Sequence, residues 1–347
     1  MKILVTGAAG YIGGMLTDLF LKDSRVEKVV ALDMKDASAK FPKGDPKLTW
    51  LTFNLGDNGW QEEVLKGGKP DVVVHCAYVI REGFGKKRAW QNKCNFDGAE
   101  NVFNFVFKND ISRLIDFSTV ASYGARLGNT VERKFKEEDP FMEEKYLYGV
   151  DKKIIEENLK ALFAQEKAAL ASGQRQGALP QVLVLRPAAI SGPRGQFIFR
   201  RFGLLMMIKE GLPLIPLCGR QSARQFIHED DVADIIFWLA FGGVKSEYEV
   251  FNIAPNQYFL LKDMAHTLGK PVLPIPLWLG RLGFSFLWYV FRGRVPTVPA
   301  GINSYAYPII ADGSKITRFG YQYKFTGEDA LLANKGRYSE EAKKYRK

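Results

Sequence analysis

Short apolar runs alternate along the chain with longer stretches in which apolar residues recur every three or four positions. Lys2 to Thr6 reads as a buried strand, and from Tyr11 to Leu21 the residues Ile12, Leu16, Leu19 and Phe20 stand at helical spacing. The step repeats, with strands predicted at 28–32, 48–53, 71–75 and 113–117 and one helix from about Arg88 to Lys108 before the last of them. After a loop from Ala125 to Glu144, the stretch Tyr148 to Ala171 is rich in Ala, Leu, Glu and Lys and predicts one long helix ending near Gly173, followed by a strand at 182–185. Each strand run is too short for a helix. Strands and helices in alternation predict an α/β fold, a doubly wound parallel sheet with helices on both faces and ligands at the carboxyl ends of its strands.

Beyond Pro187 the alternation is lost, and Gly, Pro and large apolar residues dominate 192–218 and 270–308. This change predicts a smaller, discontinuous substrate-binding lobe from 188–225 and 255–347. The main domain of 1–187 is rejoined by about 226–254, with a helix over Phe226–Ala240 and a strand over Glu249–Ile253. The most hydrophobic run, Pro271 to Phe291, is interrupted by Pro274, Pro276, Gly280, Arg281 and Gly283. A spanning helix needs about twenty apolar residues, and a central arginine costs roughly 2.5–3.5 kcal/mol on insertion scales. The run is therefore predicted to be a buried lobe helix. The alternative is a peripheral membrane contact, with Trp278, Phe286, Trp288 and Phe291 on one side and Arg281, Arg292 and Arg294 as anchors.

Hydrophobic residues make up 46% of the 347 residues and charged ones 25%, the composition of an ordinary globular protein. The net charge of +11 fits a nucleic acid, a membrane surface or an anionic ligand. The cations are scattered, as at Lys86, Lys87 and Arg88 or Arg200 and Arg201, with a looser cluster from Lys335 to Lys347 and no nucleic-acid motif, so no nucleic-acid partner is expected. Cys76, Cys94 and Cys218 lack the spacing of a disulfide framework or a zinc site; no metal and a reducing cytoplasm are expected. The opening Met-Lys-Ile-Leu-Val-Thr-Gly is a strand running into a turn, and nothing in it marks the chain for export.

The candidate chemistry begins at the end of the first strand. Gly7, Gly10 and Gly13 open the first helix, where glycine lets the backbone turn tightly and approach a pyrophosphate beside free helix N–H groups. Twenty residues past Gly13 stands Asp33, placed to accept hydrogen bonds from the adenosine ribose hydroxyls and to repel a 2′-phosphate. Together they predict a Rossmann domain that binds NAD in preference to NADP. Tyr148 and Lys152 lie one turn apart on one helix face. A free phenol, with a pKa of about 10, is a poor base. A cation about 4 Å away interacts by roughly 4 kcal/mol at an effective dielectric near 20, enough to lower that pKa by about three units.

The Gly-x-x-Gly-x-x-Gly spacing, with Tyr148-x-x-x-Lys152, resembles the short-chain dehydrogenase/reductase family in its extended, epimerase/dehydratase-like branch. The resemblance continues through Asn54-Leu55-Gly56-Asp57, where Asn54 replaces the family's adenine-contacting acid, and through His75-Cys76-Ala77 beside the cofactor, where His75 is read as structural. It reaches on through Ser118-Thr119-Val120-Ala121-Ser122-Tyr123-Gly124, the helix beginning at Asn95, the segment Arg186-Pro187 to Pro193, and Arg224 to Ala233. It implies catalytic roles for Thr119, Tyr148 and Lys152, with Thr119 orienting the substrate oxygen and Asn95 and Ser118 as accessories. It implies cofactor contacts from Gly7, Gly10, Tyr11, Ile12, Gly13, Asp33, Asn54, Leu55, Ala77, Tyr148, Lys152 and Pro187, and substrate contacts from Tyr78, Ser122 and Arg224. The relatives imply a homodimer.

The resemblance implies hydride transfer at a hydroxyl-bearing carbon of a small molecule. Arg224 stands where nucleotide-sugar epimerases of the UDP-glucose 4-epimerase kind hold a diphosphate, and arginine pairs bidentately with phosphate. Ala188 and Ala189, where those epimerases often carry asparagine, and the apolar stretch Leu273–Phe291 look instead like the 3β-hydroxysteroid dehydrogenase and dihydroflavonol reductase branches, whose hydrophobic substrates Met206 and Met207 could line. A non-catalytic NAD-binding sensor or scaffold is the third reading, against which the intact Tyr148, Lys152 and Thr119 argue.

Overall fold

A computed structural model describes residues 1–37, 41, 44–195, 212–219, 222–295 and 297–345. Arg200, Arg201, Met206 and Met207 lie outside the described residues. The first half runs β1 (Lys2–Thr6), α1 (Tyr11–Lys22), β2 (Lys28–Asp33), β3 (Leu48–Thr52), α2 (Trp60–Lys66), β4 (Val72–His75), α3 (Lys87–Asn92), α4 (Gly98–Lys108), β5 (Arg113–Phe117), α5 (Leu147–Ala171) and β6 (Gln181–Pro187). The second half adds β7 (Ala189–Ser191), β8 (Ile215–Leu217), β9 (Ala223–Arg224), β10 (Phe226–His228), α6 (Glu229–Ala240) and β11 (Tyr248–Ile253). It closes with β12 (Phe259–Leu260), α7 (Leu261–Thr267), β13 (Val272–Pro274), α8 (Leu277–Val290), α9 (Gly301–Ala306) and three short terminal helices.

Seven parallel strands form the main sheet in the order β3-β2-β1-β4-β5-β6-β11. The order reverses between β1 and β4, where Thr6 pairs with His75, so a crevice opens beyond the carboxyl ends of those two strands. The strands alternate across the sheet. Ile3 and Val5 pack with Met15, Leu16 and Phe20 of α1 and Ile235, Ile236 and Leu239 of α6. Leu4 faces the other way, into Val102, Phe103 and Val106 of α4 and Ile155, Leu159 and Phe163 of α5. A separate cluster joins Ile215, Cys218, Phe226, Leu261, Met264, Ile302 and Tyr305.

The structure departs from the expected elements in four places. The helix expected over 88–108 is broken by a π-turn at Lys93–Asp97, a feature often found at functional sites. Within that turn Asn95 is buried and its side chain binds the Val79 backbone at both ends. Helix α2 was not expected; its apolar signal is short, and Trp60, wholly buried against Phe105, carries it. Phe226–His228 is a strand pairing with β7, and the helix starts only at Glu229 because the His228 ring nitrogen accepts the Asp230 N–H at 3.1 Å. Finally, α8 is not the buried helix expected of its composition. Only Gly280 and Trp288 of its residues are buried, because a single face packs inward, toward Cys218 and Ile302.

Candidate active site

The crevice at the sheet's reversal point is shaped by glycine. Gly7 has φ +69°, and a Cβ there would stand 2.8 Å from the Ala77 backbone; a Cβ at Gly13 would stand 2.2 Å from the Gly7 carbonyl oxygen. Backbone atoms cannot give way as a flexible side chain can, so β1 turns into α1 only with hydrogen at both positions. The Gly10 N–H donates to the Gly7 carbonyl at 2.9 Å, and no side chain caps α1. Asp33 closes β2 over this turn, its two oxygens accepting the N–H groups of Ala9 and Lys35 at 3.0 Å each. A tight, side-chain-free cradle, an uncapped helix N-terminus and a carboxylate at the end of the neighbouring strand fit the pyrophosphate and ribose of NAD.

Around the cradle several expected cofactor residues also brace the chain. The Tyr11 hydroxyl donates to Glu229, which also accepts the N–H groups of Arg194 and Gly195 at 2.9 Å each. Ile12 is buried beside it. Asn54, expected to meet an adenine, folds onto its own loop: Oδ1 accepts the Gly56 N–H at 3.0 Å and Nδ2 reaches Cys94 Sγ at 3.5 Å. The Leu55 carbonyl accepts Trp60 Nε1 and Asn101 Nδ2. His75 is structural as expected: Nδ1 meets Thr6 Oγ1 at 2.8 Å, that oxygen accepts the Ala77 N–H at 3.3 Å, and burial pushes the imidazole down to about 3. Pro187 ends β6 opposite Ile253.

Thr119 follows β5 and caps a short 3₁₀ turn over Val120–Tyr123, its Oγ1 accepting the Ala121 N–H at 3.1 Å. Tyr148, in the first turn of α5, is hydrogen-bonded to that same side chain. Burial raises the Tyr148 pKa and the Thr119 hydrogen bond opposes the rise. Lys152, one turn on, is buried, and its Nζ donates to the Phe117 carbonyl and lies 4.3 Å from the centre of the Tyr78 ring. Burial lowers its pKa while Asp116 and Glu156 hold it up. In the chain by itself the Lys152 ammonium is engaged by a carbonyl and a ring face, and burial is the larger influence on Tyr148.

The two expected substrate contacts nearest Tyr148 differ in their surroundings. The Ser122 hydroxyl is wholly buried and donates to the Gly149 carbonyl at 2.9 Å, clamping the 3₁₀ turn to the start of α5 with no face left for a substrate. Tyr78 does lie in the site, its ring edge-on to Tyr148 with centroids 5.6 Å apart. Its hydroxyl donates to Asp151 at 3.3 Å, and both Asp151 oxygens are gripped by Arg88 at 2.7 and 2.8 Å. Ser118 is buried, and among the described residues its hydroxyl has no hydrogen-bond partner. Asn95, with Gln91, holds the Val79 backbone and so fixes the chain that leaves Tyr78.

Arg224, on β9, has its guanidinium 5.7 Å from the Tyr305 ring and within electrostatic reach of Tyr146, whose ring adjoins Tyr148. Burial brings it down to about 10, and among the described residues no carboxylate pairs with it. Arg186, by contrast, is consumed: it binds Glu156, the Tyr123 hydroxyl at 2.7 Å and the Glu137 carbonyl at 3.0 Å. Sequence reasoning missed Asp116, which is buried near Lys152 and is pushed up to about 6 by burial against the pull of that lysine. The available signal was an acid inside the apolar strand Arg-Leu-Ile-Asp-Phe. It also missed the Arg88–Asp151 pair, which no motif marks, and the bracing role of Glu229 within the Arg224–Ala233 segment.

The profile of the NAD dependent epimerase/dehydratase family matches residues 3–254. An uncharacterized protein of Mycobacterium bovis is 25% identical over 344 residues, covering 95% of this chain and 82% of its own length. The N-acetyl-alpha-D-glucosaminyl-diphospho-ditrans,octacis-undecaprenol 4-epimerase of Escherichia coli O157:H7 is 23% identical, covering 95% of this chain and 93% of its own. The solved UDP-glucose 4-epimerase of Thermotoga maritima with UDP-glucose superposes with a TM-score of 0.69 at 20% identity, covering 100% of both chains, a likeness of fold.

Proposed function

The chain belongs to the NAD dependent epimerase/dehydratase family and is an NAD-dependent enzyme of that kind, and from this premise we propose that it inverts or oxidises a hydroxyl-bearing carbon of a nucleotide sugar. The observation that carries the substrate is Arg224, a half-buried guanidinium with no carboxylate partner among the described residues, one aromatic ring removed from Tyr148. A half-buried guanidinium without a carboxylate is open to a ligand, and a diphosphate accepting two parallel N–H bonds suits it. In this reading 188–225 and 255–347 form the substrate lobe over the NAD-binding domain. The copies pair as homodimers, and the three cysteines, all free, suit the cytoplasm.

NAD, when bound, supplies the hydride acceptor. The rest is work for the chain's own side chains. Thr119 holds the substrate oxygen toward Tyr148, whose phenolate removes the hydroxyl proton and later returns it. Because burial raises that phenol, the reaction needs positive charge beside it, and Lys152 is the cation within one helical turn. Burial lowers the Lys152 pKa, and Asp116 near it opposes that shift.

A second reading, an alcohol dehydrogenase acting on a hydrophobic substrate, draws on the apolar surface of α8, whose neighbour Phe84 follows Tyr78 in the chain. Thermal shift separates the two. UDP at about millimolar concentration is expected to raise the melting temperature of the wild type and not of Arg224→Ala. A wild type indifferent to UDP removes the nucleotide-sugar reading.

A further inference from the structure

Helix α8 presents apolar side chains to solvent along its whole length. Trp278, Leu282, Phe286 and Tyr289 recur at intervals of four, four and three residues, so they share one face; they are 62%, 59%, 64% and 62% exposed, with Leu279 and Val290 beside them. The opposite face is also apolar: Gly280 lies against Cys218 and Ile302, and Trp288 against Phe84. A helix apolar on both faces belongs in a core or in lipid. At 14 residues α8 is about 21 Å long, short of the roughly 30 Å hydrocarbon core, and among the described residues no helix is long and apolar enough to cross a membrane.

Charge says what the face meets. From Met264 to Ala311 the chain has no Asp or Glu, while it carries Lys270, Arg281, Arg292 and Arg294, and the three arginines are exposed at the helix and just past its end. A second copy of this chain, itself +11, would bring those arginines against their own kind. An anionic surface would not. Trp and Tyr on the apolar face, with arginines at the edge, are the side chains that settle at the boundary between headgroups and acyl chains.

We propose that the exposed face of α8 is a membrane-docking surface that lies in the headgroup region of an anionic bilayer without spanning it. The surface is tied to the rim of the active site. Phe84 packs edge-on against Trp288 and Tyr289, Arg81 donates to the Gly293 carbonyl at 2.8 Å and also to that of Arg294, and both residues belong to the loop that leaves Tyr78. Ile80 and Trp90, on the same stretch, are exposed as well. Docking through α8 therefore sets the mouth of the site against the lipid surface.

The inference does not depend on the substrate, and its test needs no turnover. The full-length protein is spun with vesicles of phosphatidylcholine alone and of phosphatidylcholine with phosphatidylglycerol. The expected result is co-sedimentation with the anionic vesicles, falling at least about tenfold on the neutral ones and at least about tenfold in Trp278→Gln/Phe286→Gln. Both positions are exposed, so that variant keeps the wild-type melting temperature, measured alongside. Absence of wild-type binding to anionic vesicles, equal binding to both kinds, or undiminished binding by the variant overturns the proposal. So does a sedimentation-velocity dimer that the variant splits in the absence of vesicle binding, since the face would then be covered by a second copy.

Discussion

Helices α5 and α8 are both legible in the sequence as helices, and both carry large apolar side chains. They end in opposite surroundings. Along α5 the apolar residues Ile155, Leu159 and Phe163 recur at helical spacing among Glu, Lys and Asn, so one face must go inward; it meets the sheet and the π-turn region and carries Tyr148 and Lys152 to the crevice. Around α8 there is no polar face to set against the apolar one, and the helix packs by one side while the other stays in solvent. The contrast teaches that contrast between faces, not apolar content, predicts burial.

The comparison can be broken by truncating one leucine on each helix. Leu159 is 0% exposed, and Leu159→Ala is expected to cost about 2–5 kcal/mol in a denaturant melt. At the other extreme, Leu282→Ala on α8 is expected to change stability by no more than about 0.5 kcal/mol. Equal losses at the two sites would mean that the outer face of α8 is covered in solution and that the contrast is false.

The same contrast explains how much could be read beforehand. The parallel sheet, the glycine turn and the long helix of Tyr148 were legible because each rests on a local rule: period two or 3.6, glycine where a Cβ would strike backbone, Tyr and Lys one turn apart. Asp116, Arg88 and Asp151 were not, because their meaning lies in partners brought from distant strands and helices. The partners of the Ser122 hydroxyl and of the Asn54 amide were not legible for a related reason. Each residue type could equally serve a ligand or its own backbone, and only the folded chain shows Ser122 on the Gly149 carbonyl and Asn54 on the Gly56 N–H. The π-turn at Lys93–Asp97 likewise answers to the Val79 backbone that Asn95 holds, a contact sixteen residues away in sequence.

The account turns on the Tyr148 phenol as the group that carries the substrate's proton. Its most direct test is Tyr148→Phe, measured for NAD binding by calorimetry and for turnover in the same preparation. NAD affinity is expected to stay within about threefold of the wild type while turnover falls by roughly 10²–10⁴ or more. A variant that binds NAD and turns over at the wild-type rate would contradict the account.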